Sequence, residues 1–438
     1  WLGSVLEDFN PTMLGLGLLI VLIVIGVPIA HALVLGAYAA FQAGGLPEVV
    51  IANHFASTMA TNFVLLAIPF FVLMGAFMNA GGVTRALIDT ANALVGHWRG
   101  GLAQVNILTS ALMGGLSGSS SADTAMTTKT LVPQMERSGY DRSFACAITA
   151  SSSITANLIP PSITLLIYAS LAAQSVGALF MAGIVPGIFY VVVLMATVGL
   201  LARTRSFKVA VAERVVWRSR GRILARALPA LALPLVIVTL LRGGAVTPTE
   251  AGAIASIYAL LVGVLVYGGL SGRGVWDGIC ETGREVSVIL FLIAASAPMA
   301  WLIVAEGVPQ DLAASLGAAI SDPRVMILGL VLLMVVVGLF LEPAPAMVIL
   351  VPVMLPIAKT VGIDPVHLGV VVVTTVMVGQ LTPPVGGLVF ITASLARLPV
   401  FSVFWALRWI YIALAFIIAA LALIPSISLS LPHALGFL

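Results

Sequence analysis

Two stretches of the chain gather oxygen-bearing side chains around a proline pair. The first reads Ser151-Ser152-Ser153-Ile154-Thr155-Ala156-Asn157-Leu158-Ile159-Pro160-Pro161-Ser162. The second reads Thr374-Thr375-Val376-Met377-Val378-Gly379-Gln380-Leu381-Thr382-Pro383-Pro384-Val385-Gly386. Proline removes a backbone donor and clashes with the carbonyl one turn back, so a helix broken there frees carbonyl oxygens. Hard cations such as sodium take oxygen ligands. Where a helix restarts, its N–H groups and positive dipole end suit an anion. Two tips add carboxylates, Gly118-Ser119-Ser120-Ser121-Ala122-Asp123 and Leu341-Glu342-Pro343-Ala344-Pro345. Asp123 also fits the N-cap of a returning helix, and a single Ser or Thr often bonds only its own helix. The two clusters taken together point to coordination of cations and an anion. Bond-making chemistry lacks its signatures: there is no His-Glu-x-x-His, no Gly-x4-Gly-Lys-Ser/Thr and no nucleophile with a base beside it. The chain is expected not to be an enzyme.

These residues must be positioned inside a membrane. Of 438 residues, 61% are hydrophobic and 8% charged, too few charges to cover a water-facing surface. Net charge is +3, and no basic face is set out for nucleic acid. Residues 9–47, 143–202, 286–305, 365–396 and 409–438 carry no Asp, Glu, Lys or Arg. Such runs do not alternate as barrel strands would, and they predict roughly ten to twelve membrane-inserted helical segments. Eight of the 20 Lys and Arg lie within 203–226, which marks a cytoplasmic loop between two halves and a potential contact with anionic membrane lipids. The segments around Arg85–Asp89 and Asp277–Glu285 read as interface-lying arms, with Glu281 and Glu285 on a solvated face. Cys146 and Cys280 are expected to be buried free thiols.

The halves match at an offset of 223 residues. Gly115-Leu116 pairs with Gly338-Leu339, Pro133 with Pro356, Asp141 with Asp364, and Pro160-Pro161 with Pro383-Pro384. Asn157 then stands opposite Gln380, and Ser151-Ser152 opposite Thr374-Thr375. Each half predicts a re-entrant helical hairpin followed by a broken membrane helix. Arg99, Lys129, Arg137 and Arg142 flank the first hairpin, whereas Arg324 and Lys359 with Asp322 and Asp364 flank the second. Opposite entry follows from the positive-inside rule, making the repeat inverted, as in secondary transporters. The fold class is an all-α polytopic membrane protein. Its parts are scaffold helices with an interfacial arm (1–96), the first repeat's transport elements (97–176), scaffold helices with the basic loop (177–319), the second repeat's transport elements (320–398) and a C-terminal helix (399–438).

An ordered set of motifs resembles the large membrane subunit, DctM type, of tripartite ATP-independent periplasmic (TRAP) transporters. It comprises Gly26-Val27-Pro28-Ile29-Ala30, Ala67-Ile68-Pro69-Phe70-Phe71, the first tip, Ile159-Pro160-Pro161-Ser162, Thr247-Pro248-Thr249-Glu250-Ala251, Gly362-Ile363-Asp364-Pro365-Val366-His367 and Leu381-Thr382-Pro383-Pro384-Val385-Gly386. The resemblance implies an elevator-type transporter in the bacterial inner membrane. It implies coupling to Na+, with no organic cofactor. It implies a small four-helix membrane subunit and a periplasmic substrate-binding protein as partners, and an organic acid as substrate. Dicarboxylates, sugar acids such as sialic acid, and keto acids fit equally. Carried over by motif, cations fall to Ser119, Ser120, Ser152, Asn157 and Pro160 in one site, and to Glu342, Pro343, Gly379, Gln380 and Thr382 in the other. Substrate falls to Ser121, Asp123, Ser153, Thr155, Thr375, Pro384 and Gly386. The alternative is a stand-alone sodium- or proton-coupled organic anion transporter that needs no binding protein.

Overall fold

A computed structural model describes residues 11–204, 217–242, 246–308, 310–312 and 322–438. Among the described residues, six helices are long and apolar enough to cross a membrane, or seven if the bent pair Val400–Leu407 and Ile410–Leu423 counts as one span. Five more apolar helices, of 10–17 residues, fall short of that length. The shortfall has a cause in the sequence: proline and glycine cut charge-free runs into pieces. The run 143–202 becomes Arg142–Ser152, a tight turn at Ser153–Asn157, then Ile163–Ala172 and Val176–Thr204. Half of the basic stretch 203–226, residues 205–216, lies outside the described residues.

Each half builds a helix–turn–helix and a broken helix. The first hairpin is Gly101–Ser117 and Ser120–Thr130, turned by Gly118 at φ +60°. The second is Pro323–Gly338 and Pro343–Thr360. The second broken helix is Pro365–Gly379 followed by Gly387–Leu395. Both broken helices start on an aspartate. Asp141 Oδ1 accepts from the Phe144 amide at 2.9 Å, and Asp364 Oδ1 from those of Val366 and His367 at 2.8 and 3.1 Å. Such caps satisfy amides that a helix start leaves unpaired.

Packing between these pieces is reciprocal. Each hairpin's outgoing arm lies on the broken helix of its own half, and each return arm crosses to the other: Ser120–Thr130 meets Gly387–Leu395, and Pro343–Thr360 meets Ile163–Ala172. Glycine allows the close approaches. A Cβ on Gly114 would sit 2.8 Å from Ala156 Cα, and one on Gly338 would sit 2.5 Å from the Val376 carbonyl oxygen. Around this unit stand Ile29–Ala43, Glu48–Thr61, Ala67–Ala80, Pro248–Leu261 and the 34-residue Gly272–Ala305.

Three expectations change. Asp277–Glu285 is not a separate arm; it is the first half of Gly272–Ala305, a continuous helix about 50 Å long at 1.5 Å per residue. Residues 399–438 form three helices rather than one, bent by 62° after Leu407 and broken again before Pro425, whose ring disfavours helical backbone at Ile424. Both cysteines are free, but only Cys146 is buried; Cys280 is exposed.

Gly338→Ala is expected to cost about 1–3 kcal/mol, because the added methyl meets backbone that cannot move aside. Gly329→Ala, in the same helix with open space at its Cβ, is the control. Thermal unfolding of the purified protein in detergent reads the difference.

Candidate functional site

The two hairpin tips meet at a cavity of about 360 Å³. Ser119, Ser120 and Ser121 line it from the first tip, Glu342 and Pro343 from the second, Asn157 from the first broken helix, and Glu285 from Gly272–Ala305. Among the described residues, no Lys, Arg or His lines it. Two helices begin at its edge. Ser119 caps Ser120–Thr130 by accepting from the Ala122 amide at 3.4 Å. Glu342 stands at the N-cap of Pro343–Thr360 without closing a side-chain cap, so its carboxylate is free for another partner.

Asn157 is the hinge of the polar network. Its Oδ1 accepts from the Ser120 amide at 3.1 Å, and its Nδ2 reaches Met377 Sδ at 2.8 Å. One side chain thus ties the first tip to the second broken helix, 220 residues away. Beneath it the hydroxyl protons are committed. Ser152 donates to Asn106 Oδ1 or the Thr149 carbonyl, both at 3.1 Å. Ser153 donates to the Thr149 carbonyl at 2.8 Å and Thr155 to that of Ser152 at 2.7 Å. Thr382 does the same to Val378 at 3.0 Å. A hydroxyl that donates this way keeps its lone pairs, which is what a cation needs.

The DctM family model, described as "Tripartite ATP-independent periplasmic transporter, DctM component", matches residues 16–427. The chain belongs to this family. It is 38% identical over 376 residues to the C4-dicarboxylate TRAP transporter large permease protein DctM of Pseudomonas aeruginosa, covering 86% of this chain and 87% of that one. It is 36% identical over 387 residues to the 2,3-diketo-L-gulonate TRAP transporter large permease protein YiaN of Escherichia coli, covering 87% and 90%. Among solved structures, the Alcanivorax borkumensis YdaH transporter matches with TM-score 0.53 and 17% identity over 88% of this chain and 87% of that one, a likeness of fold alone. The protein is a membrane permease subunit of a TRAP transporter, integral to the inner membrane.

Within this DctM chain, the expected residues separate into those the cavity gathers and those it does not. Ser119, Ser120, Ser121, Asn157, Glu342 and Pro343 line it. Ser152, Ser153, Thr155 and Pro160 are buried, before, in and after the turn 153–157, and do not line the cavity. Asp123 is 1% exposed and does not line the cavity; the cap role belongs to Ser119. The Asp123 carboxylate closes no hydrogen bond of good geometry, with the Ser110 and Ser153 hydroxyls as its polar neighbours. Thr375 is likewise buried with its hydroxyl unpaired. Gly379, Gln380, Thr382, Pro384 and Gly386 lie apart from the cavity. Gly379 packs on Gly338, and the Gln380 side chain lies over Gly387. Gly386 takes φ +59° beside Phe404, while Pro384 is exposed.

Two features escape the sequence reading. Glu285 is exposed, as a solvated face requires, but the space it is exposed to is the cavity; its signal is its place as the last charge before the apolar run 286–305. Asn106 and Ser110 extend the polar network, Asn106 donating to Thr149 Oγ1 at 2.7 Å and Ser110 sharing a 3.1 Å bond with Ser152. Their signal is a polar stripe, 106, 110 and 117, on a helix that also carries Gln104 and Thr109.

Asn157→Leu leaves the buried Ser120 amide unpaired, at a cost of about 1–3 kcal/mol. A lowered unfolding temperature and about tenfold or greater loss of transport are expected, read by thermal unfolding and by uptake into proteoliposomes; unchanged transport would show that the tie is dispensable.

Proposed function

We propose that this permease imports a small organic acid handed over by a periplasmic binding protein, driven by a sodium gradient, through an elevator motion of the hairpins and broken helices against the surrounding helices. The observation that carries this reading is the cavity between the two tips. It holds two carboxylates and, among the described residues, no basic side chain, so an organic anion there needs cations for charge balance. Relatives support the substrate class. The two relatives above are named for C4-dicarboxylate and 2,3-diketo-L-gulonate, and another, 34% identical, for sialic acid in Vibrio cholerae. Each of these is a small organic acid.

The inverted repeat belongs to the same proposal. The offset of 223, the paired Asp141 and Asp364 caps and the reciprocal arms support it. One cation would bind among Ser119, Ser120, Asn157 and the 151–160 segment. The other would bind near Glu342 and the 379–383 segment, which must approach each other for it. Ser121 and the helix starts beside it would hold the substrate. The small membrane subunit would extend the stationary wall. A relative named as an isethionate permease DctMQ in Oleidesulfovibrio alaskensis is longer, this chain covering 61% of it, and the extra length accommodates such a subunit. Each charge moved across 100 mV supplies about 2.3 kcal/mol, so two or more cations per monoanion drive uptake steeply.

Uptake of radiolabelled organic acids into proteoliposomes, with this chain and its small subunit, tests the reading. Uptake is expected to require both an inward sodium gradient and the binding protein. Uptake without the binding protein, or driven by protons alone, would move the function to a stand-alone transporter.

A further inference from the structure

Glu285 occupies an unusual position for a carboxylate in an anion pathway. It projects from Gly272–Ala305, which packs on Ile29–Ala43, Glu48–Thr61 and Ala67–Ala80 and also touches the return arm Pro343–Thr360 without belonging to either hairpin. It faces the cavity across from the second tip and Glu342. The charged groups acting on it are Glu281 and Glu342, both acidic, and it makes no ion pair among the described residues. Glu342 sits at a helix start, where the positive dipole end offsets its charge. Glu285 is mid-helix and has no such compensation. Glu285 is exposed to the cavity, and with no basic side chain lining it among the described residues, an anion that enters meets a cleft lined by one sign of charge, which focuses that field.

We propose that Glu285 makes entry of the organic anion conditional on the cation: its carboxylate repels the anion from a cation-free cavity, and bound cations cancel that repulsion. The order of binding is then cation first, anion second, and the anion does not leak across alone. This role rests on the sodium-coupled reading above and deepens it by placing a coupling determinant on the stationary wall. It also accounts for a negative cavity in a carrier of anions, which the oxygen clusters at the broken helices do not explain.

The test compares wild type, Glu285→Gln, Glu285→Asp and Glu281→Gln, each with the small subunit in proteoliposomes. The probes are radiolabelled succinate, 2,3-diketo-L-gulonate and N-acetylneuraminate with a matching binding protein, and KM is measured at low and at saturating sodium. In wild type, KM is expected to fall as sodium rises. Glu285→Gln is expected to shrink the ratio of the two KM values several-fold, chiefly by lowering KM at low sodium, with a smaller effect on the maximal rate. Glu285→Asp, which keeps the charge, is expected to restore the ratio. Glu281→Gln, one turn away and outside the cavity lining, removes a charge that acts on Glu285 without facing the ligand, and is expected to change the ratio less than Glu285→Gln does. An unchanged ratio in Glu285→Gln overturns the proposal. So does an equal loss of uptake in Glu285→Gln and Glu285→Asp while both elute as folded protein, because that marks a structural role. Wild-type uptake that ignores sodium removes the coupling reading itself, a different result from either.

Discussion

A backbone carbonyl freed inside hydrocarbon must find a donor within the protein, and the rest of this architecture follows from that requirement. Both proline-broken segments free carbonyls, and buried hydroxyls reach in for them. Tyr190 donates to the Ser151 carbonyl at 2.7 Å, Ser162 to that of Asn157 at 2.6 Å, and Tyr411 to that of Leu381 at 2.8 Å. Glycines bring neighbouring backbone close enough to exclude lipid from the same places, Gly114 at Ala156 and Gly338 at Val376. The breaks are therefore held in shape before any ion or substrate arrives.

That arrangement divides the polar groups into two kinds. Ser152, Ser153, Thr155 and Thr382 commit their protons to the fold and keep lone pairs in reserve. Glu342 and Glu285 face the cavity with no ion pair among the described residues. The first kind fixes geometry at low electrostatic cost. The second sets the charge that a ligand meets.

Much of this was legible in the sequence because the determinants are local. Proline pairs mark the breaks, aspartates two or three residues before a buried face mark the helix starts, and Gly118 marks a tip. These residues act on their own backbone, so their identity predicts their effect. The cavity wall is a different matter. Glu285 reaches it only because a 34-residue helix packs alongside the second hairpin, and helical spacing alone cannot distinguish a wall from a solvated face. Asn157 and Met377 are joined across 220 residues, a contact no local pattern encodes. Asp123 reads equally as cap or ligand until the backbone of Ser119 takes the cap conformation. The 223-residue offset aligned Gln380 with Asn157, but Gly386, left-handed where the first half has a serine-capped restart, folds the second segment differently.

The crossing of the return arms carries a further consequence. Because each arm finishes its packing on the opposite half, neither half presents a closed surface by itself. The contact has the form of an exchanged arm in a swapped dimer, here made within one chain. Half of this protein expressed alone would leave the two faces of that exchange bare, and a second copy could cover them only by repeating the same exchange. Covalent linkage of the halves therefore fixes their stoichiometry and lets their polar segments diverge, one built around Asn157 and the other around Gln380, while the shared packing remains.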